Sequence, residues 1–203
     1  PFLDANDHPA LLTLLQAIAS QDYPASKVAV HLVTTEDSGR DLMPQSMQAN
    51  TKIWQYPQPN PRYEYAITWM IERCLAAGGN GMFVFLKPTE ILKPDFLQNI
   101  AARGMDSFAI QGYVALKNMP TTPLAKMLAL SHRLFNRISS AGHYHLGMSC
   151  RLMDSGWAIK QEVLEMIPYR RGADMDNLEY SIPLNLGDFR VSWAPNVVVY
   201  SDS

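Results

Sequence analysis

Cysteine is nearly missing: the 203 residues hold two, Cys74 and Cys150, far apart and outside any CxxC pattern. Cys74 falls on an apolar helical stripe and reads as a buried thiol, so a reducing, cytosolic setting is the expectation. Long apolar runs are also missing. No stretch of 18 apolar residues occurs, which excludes a membrane-spanning helix in this sequence. The expected location is cytoplasmic, with membrane association through parts of the protein outside this chain. Charge of one sign is scarce as well: the formal net charge is −2, and nothing in that balance suggests nucleic acid as a partner. The chain opens at Pro1 without a signal-peptide pattern and is expected to belong to a longer protein. What is present is apolar material, 47% of the residues, enough for one globular core. Residues 1–203 are read as a single domain.

The order of apolar runs predicts alternating helices and strands. Asp7 and Pro9 open a helix with Leu11, Leu12, Leu14, Leu15 and Ile18 on its apolar face, ending before Tyr23-Pro24. Val28–Val33 is a short buried strand. Residues 34–61 are polar and proline-rich, with room for one short strand at Lys52–Tyr56. A helix from Tyr63 to Ala77 carries Ile67, Met70, Ile71 and Cys74. Met82–Leu86 is an uninterrupted apolar strand. Pro94 starts a further helix through Phe96, Leu97 and Ile100, and Phe108–Leu116 is a strand. Leu124, Met127, Leu128, Leu134, Phe135 and Ile138 form the apolar side of a long helix. This alternation predicts an α/β domain with a mainly parallel sheet, whose ligand lies beyond the carboxyl ends of the strands. The segments after Val33 and after Leu86 are the ones to inspect.

Three stretches, in order, resemble the inverting family-2 glycosyltransferases. The first is Ser20-Gln21-Asp22-Tyr23-Pro24 with the strand Val28–Val33. The second is Pro94-Asp95-Phe96-Leu97. The third runs from Gly156-Trp157 through Glu165, then Leu178-Glu179-Tyr180, Leu186-Gly187-Asp188-Phe189-Arg190-Val191, Ala194-Pro195 and Val197–Tyr200. The resemblance covers nearly the whole chain. It implies a GT-A-like three-layer fold, a mainly parallel central sheet flanked by helices, with the first strand absent from this chain.

The resemblance also implies positions for the chemistry, and here the residue types depart from the family. The acid after the first strand falls on Ala5, with Asp4 and Asp7 close by. The aspartate that recognises the base falls on Thr35, beside Glu36; Glu36, Asp37 and Ser38 themselves read as a solvated turn. The two carboxylates that hold a divalent cation on the diphosphate fall on Lys87 and Thr89. An ammonium is no metal ligand, threonine is a weak one, and Glu90 alone is too little for a hard cation. Lys87 either meets a phosphate as a fixed charge or snorkels into water. The catalytic base falls on Asn177, an amide, with Asp176 or Asp174 as substitutes; those aspartates also read as dipole-stabilising acids at a helix start. Trp157 either stacks on a sugar or is a buried aromatic. Glu179 is a candidate sugar contact. His143 and His145 form an HxH with no third ligand, read as a glycine-flanked loop. Arg170-Arg171 reads as a solvated pair.

The implied domain is thus glycosyltransferase-like without metal-dependent transfer. It would serve binding or scaffolding in polysaccharide or envelope glycan synthesis, with a glycan, a partner glycosyltransferase or a nucleotide sugar as partner and no cofactor. A divalent metal enters only if the lost carboxylates are compensated elsewhere. The alternative is an active inverting enzyme with a rewired, metal-independent site. A third class is a relative in fold alone that binds an unrelated small ligand in the same cleft.

Overall fold

The computed structural model describes residues 8–34, 50–57, 63–78, 81–117, 122–169 and 177–201. Helix α1 (His8–Ala19) is followed by strands β1 (Val30–Thr34) and β2 (Thr51–Gln55), helix α2 (Tyr63–Ala76), and strands β3 (Met82–Phe85) and β4 (Ile91–Leu92). Helix α3 (Phe96–Gly104) and strand β5 (Ala109–Leu116) lead to α4 (Pro123–Arg133), which runs through a π-helical turn (Leu134–Ser139) into α5 (Ser140–His145). Strand β6 (Trp157–Lys160), helices α6 (Gln161–Met166) and α7 (Leu178–Leu186), and strand β7 (Val191–Ser201) complete the order.

The α/β layering expected from the sequence is present, but the sheet is mixed rather than mainly parallel. Five strands run in the order β3-β6-β5-β7-β4. Only β5 and β7 are parallel neighbours there; β6 is antiparallel to both β3 and β5, and β4 is antiparallel to β7. The physical reason lies in Gly156–Lys160, where the third stretch that resembles the family begins. Its unbroken run of buried residues, Trp157 to Ile159, makes it an interior strand, β6, and it returns against the direction of its neighbours. Strands β1 and β2 form a separate parallel pair.

Pleating sends alternate side chains to opposite faces. Ala109, Trp157, Ile159, Val191 and Trp193 meet α2, α6 and α7 through Ile67, Ile71, Val163, Leu164 and Leu184. Ile110, Ala158, Ala194, Val197 and Val199 meet α1 and α3 through Leu14, Phe96 and Ile100. The result is helix, sheet, helix. Along β5 and β7 the register shifts between Gly112 and Tyr113. A Cβ at Gly112 would stand 2.5 Å from the Val197 carbonyl oxygen, so this bulge needs a residue without one.

Among the described strands, β1 pairs with β2 alone and β3 with β6 alone. A cavity of about 880 Å³ runs between β1 and β3, walled by Val30, Leu32, Val84 and Phe85 and closed by Leu14 and Ile71. Leu11 and Leu15 of α1 pack on Leu32 while Leu14 packs on the larger sheet, so this helix bridges the two. No helix among the described residues is long and apolar enough to cross a membrane.

Candidate functional site

The site forms where β3 ends. Past Phe85 the chain turns at Lys87–Glu90, with the Glu90 N–H donating to the Lys87 carbonyl at 3.3 Å. The Lys87 N–H donates back to Glu90 Oε2 at 2.8 Å, and the Ser155 hydroxyl donates to Glu90 Oε1. Glu90 is buried. Loss of water pushes its carboxyl up to about 7, although the two hydrogen bonds and the Lys87 charge pull the other way.

The partner segment is Arg151–Gly156. A buried polar clamp fixes it. The Leu152 N–H donates to Ser181 Oγ (3.1 Å) and the Met153 N–H to Gln111 Oε1 (2.7 Å). The Met153 carbonyl accepts from Asn177 Nδ2, and the Ser155 carbonyl from Gln111 Nε2 (3.2 Å). Side chains from β5 and α7 thereby satisfy backbone groups that no strand ladder reaches. Gly156, at φ 67°, turns the chain from this segment into β6, and its N–H donates to the Phe85 carbonyl at 2.9 Å. Held this way, Asp154 meets Lys87, with Oδ2 and Nζ 3.1 Å apart. The two side chains are 48% and 36% exposed, so they sit at a mouth rather than in the core.

That mouth opens on a cavity of about 620 Å³ whose polar lining is Lys87, His132, Arg151, Asp154, Ser155 and Ser201; helix α4 supplies one wall. Burial holds the His132 imidazole below its usual value, which favours the neutral ring.

The sequence candidates distribute unevenly. Lys87 is in the cavity wall. Thr89 is half-buried in the turn after it, outside the lining. Glu179 occupies the first turn of α7, also outside the lining. Asn177 is buried with both ends of its amide engaged: Oδ1 accepts from the Tyr169 hydroxyl at 2.8 Å while Nδ2 holds Met153. It is an anchor for the Asp154 loop. Trp157, the proposed stacking face, is 1% exposed, with its ring stacked on Phe85 at a centroid distance of 3.8 Å. That corrects the sugar-stacking reading in favour of the buried aromatic, since β6 points this side chain into the core. His143 and His145 lie in α5, not in a loop, and His143 Nδ1 donates to the Ser139 carbonyl at 2.9 Å. Cys74 is a buried free thiol, 3.2 Å from His31 Nδ1. Thr35, Glu36, Asp37, Ser38, Asp174, Asp176, Arg170, Arg171 and the Asp4–Asp7 stretch lie outside the described residues.

Sequence reasoning missed Asp154, Ser155, Arg151 and His132. The available signal was Asp154-Ser155 immediately before Gly156, at the edge of the recognised stretch.

A divalent cation of the kind the GT-A fold implies does not fit the described residues. Among them no group of three His, Cys, Asp or Glu converges. Asp154 already faces an ammonium, and Glu90 has a hydrogen bond on each oxygen and an elevated proton affinity.

No protein-family model matches this chain, and no curated protein matches it in sequence. Solved structures match it in fold. S. aureus TarS 1-349 in complex with UDP-GlcNAc superposes with a TM-score of 0.69 at 13% identity, covering 100% of this chain and 57% of that one. The same segment in complex with UDP gives 0.65 at 13% identity, with 100% and 59% covered. A longer TarS structure gives 0.66 at 12% identity, covering 100% of this chain and 35% of that one. The fold is therefore that of a GT-A-like glycosyltransferase, and the chain spans less than two thirds of these neighbours.

Proposed function

We propose that this chain is a family-2 glycosyltransferase-like domain that receives the diphosphate end of a nucleotide sugar at Lys87 without a divalent cation. On this reading it contributes binding or scaffolding to polysaccharide or envelope glycan synthesis rather than metal-dependent transfer. The observation that carries the proposal is the Lys87–Asp154 pair at the end of β3, where the resemblance calls for metal-holding carboxylates. A fixed cation takes the charge role of the metal, and Arg151 lines the same wall. Likeness in fold to TarS, solved with UDP-GlcNAc and with UDP, supports the ligand class.

Titration calorimetry with UDP, GDP and their sugars, with and without Mn²⁺, tests this. The expected result is uridine- or guanosine-diphosphate binding that Mn²⁺ leaves unchanged. Binding that appears only with Mn²⁺, or none at all, overturns it.

A second reading, an active inverting transferase without metal, has one observation in its favour. The clamp fixes an exposed carboxylate, Asp154, at the cavity mouth, where it can accept a proton from an acceptor hydroxyl as the sugar–phosphate bond breaks. Release of UDP from UDP-sugar in the presence of glycan acceptors, abolished by Asp154→Asn, would select this reading over the first.

A further inference from the structure

Helix α4 and the π-helical turn after it leave most of their apolar side chains exposed. Ala129 and Asn136 are buried, and Ala125 and His132 partly so. Leu124, Met127, Leu128, Leu134, Phe135 and Ile138, expected from their spacing to be the apolar side of a long helix, are all exposed, Met127 at 71% and Phe135 at 65%. At helical spacing these six share one face. Lys126, Arg133 and Arg137 fall together along one border of it, between the apolar stripe and the buried side.

The stretch of sequence that carries this face has charge of one sign. From Ser107 to Met153 the sequence contains no Asp or Glu, while it contains Lys117, Lys126, Arg133, Arg137 and Arg151. A chain with a net charge of −2 has therefore gathered an acid-free, cationic stretch around its most exposed apolar helix. Contiguous exposed apolar surface on a folded domain marks a contact surface.

From this juxtaposition we infer that α4 and the following turn lie in the interface of an anionic lipid bilayer. The stripe enters the headgroup–acyl boundary, and the basic border meets the lipid phosphates. No described helix is long and apolar enough to cross the hydrocarbon, and this element, apolar on one face only, suits lying in its plane. A basic border beside an apolar stripe matches the layering of headgroups over acyl chains, and the segment itself carries no carboxylate to be repelled by the anionic leaflet. The same helix walls the 620 Å³ cavity through Ala125, Leu128, Ala129 and His132, so docking brings the cavity mouth close to the lipid surface. This inference does not depend on what the cavity binds.

Flotation with unilamellar vesicles tests it, comparing phosphatidylcholine alone with phosphatidylcholine plus phosphatidylglycerol. The chain is expected to float with the phosphatidylglycerol vesicles, far less with phosphatidylcholine alone, and to detach at about 1 M salt, where the screening length falls to about 3 Å. The double variant Met127→Glu/Phe135→Glu changes two exposed side chains away from the cavity lining, and circular dichroism checks that it folds. It is expected to lose at least about tenfold in vesicle partitioning, while Met166→Glu, exposed on α6, leaves partitioning intact. Absence of binding to phosphatidylglycerol vesicles at low salt overturns the inference, as does equal binding by the folded double variant. Sedimentation as a dimer that the double variant dissociates would assign the face to a second copy and overturn it too.

Discussion

Asn177 and Met153 are tied side chain to backbone: the Asn177 amide nitrogen donates to the Met153 carbonyl, and the Asn177 oxygen takes the Tyr169 hydroxyl. An amide can do both; a carboxylate can do only the second. Asn177→Asp removes the donor, leaves the Met153 carbonyl unpaired and buries a charge. The expected cost is about 1–3 kcal/mol, read by urea denaturation. A variant of unchanged stability would show that the anchor is dispensable.

The Lys87–Asp154 pair is half in water, so its contribution to stability is small. Lys87→Ala and Asp154→Ala should each change the unfolding free energy by less than about 1 kcal/mol. Ligand binding separates them. Lys87→Ala should weaken UDP about tenfold, the effect of losing one charged hydrogen bond. Asp154→Ala removes the carboxylate that competes for Lys87 and should strengthen UDP. Calorimetry showing both variants weakened alike would point to a ligand contacting Asp154 itself.

Glu90 makes stability depend on pH in the direction opposite to an ion-paired carboxylate. Burial raises it to about 7 in the folded protein against 4.5 for the free side chain. Between those values the folded state holds the proton more tightly than the unfolded state. Stability is therefore greatest at the acid end of the window and falls as pH rises from about 4.5 to about 7. Glu90→Gln stays neutral throughout. The difference in melting temperature between wild type and Glu90→Gln should move in favour of the variant as pH rises; a constant difference would mean that Glu90 is ionised across the whole window.

Trp157 fills the centre of the sheet's larger core, stacked on Phe85 and close to Tyr169 and Tyr180. Trp157→Ala should cost about 3–5 kcal/mol through lost burial and the cavity left behind. A thermal melt close to wild type would return the residue to the surface role first considered for it.

Elements whose residues signal their own structure were legible in the sequence. The run Met82–Leu86 became β3, the stripe Ile67, Met70, Ile71 became α2, and Phe108–Leu116 became β5 with one residue trimmed. What failed was whatever depends on distant partners. Trp157-Ala158-Ile159 has the composition of a strand, but its place between β3 and β5 and its direction follow from tertiary pairing. The stripe from Leu124 to Ile138 was correctly helical, and its periodicity carried no information about what, if anything, covers it. The site was half visible: Lys87 stood out because a resemblance assigned it a role, whereas Asp154 gains meaning only because Gln111, Asn177 and Ser181, remote in sequence, hold its loop.

The cavity between β1 and β3 divides the molecule's resistance to opening. Across it the two sheets share no hydrogen-bond ladder among the described strands, so side chains tie them: Leu11, Leu14 and Leu15 of α1, and Ile67, Ile71 and Cys74 of α2, the last against His31 of β1. The β1–β2 pair rests on a buried cluster of Leu11, Leu15 and Leu32, small beside the cores on either face of the larger sheet. Such a pair opens as its own cooperative unit at lower free energy than global unfolding. Amide protons of Leu32 and Ile53 should thus exchange with deuterium together and early, while those of Ile110 and Val199 wait for the whole chain to unfold.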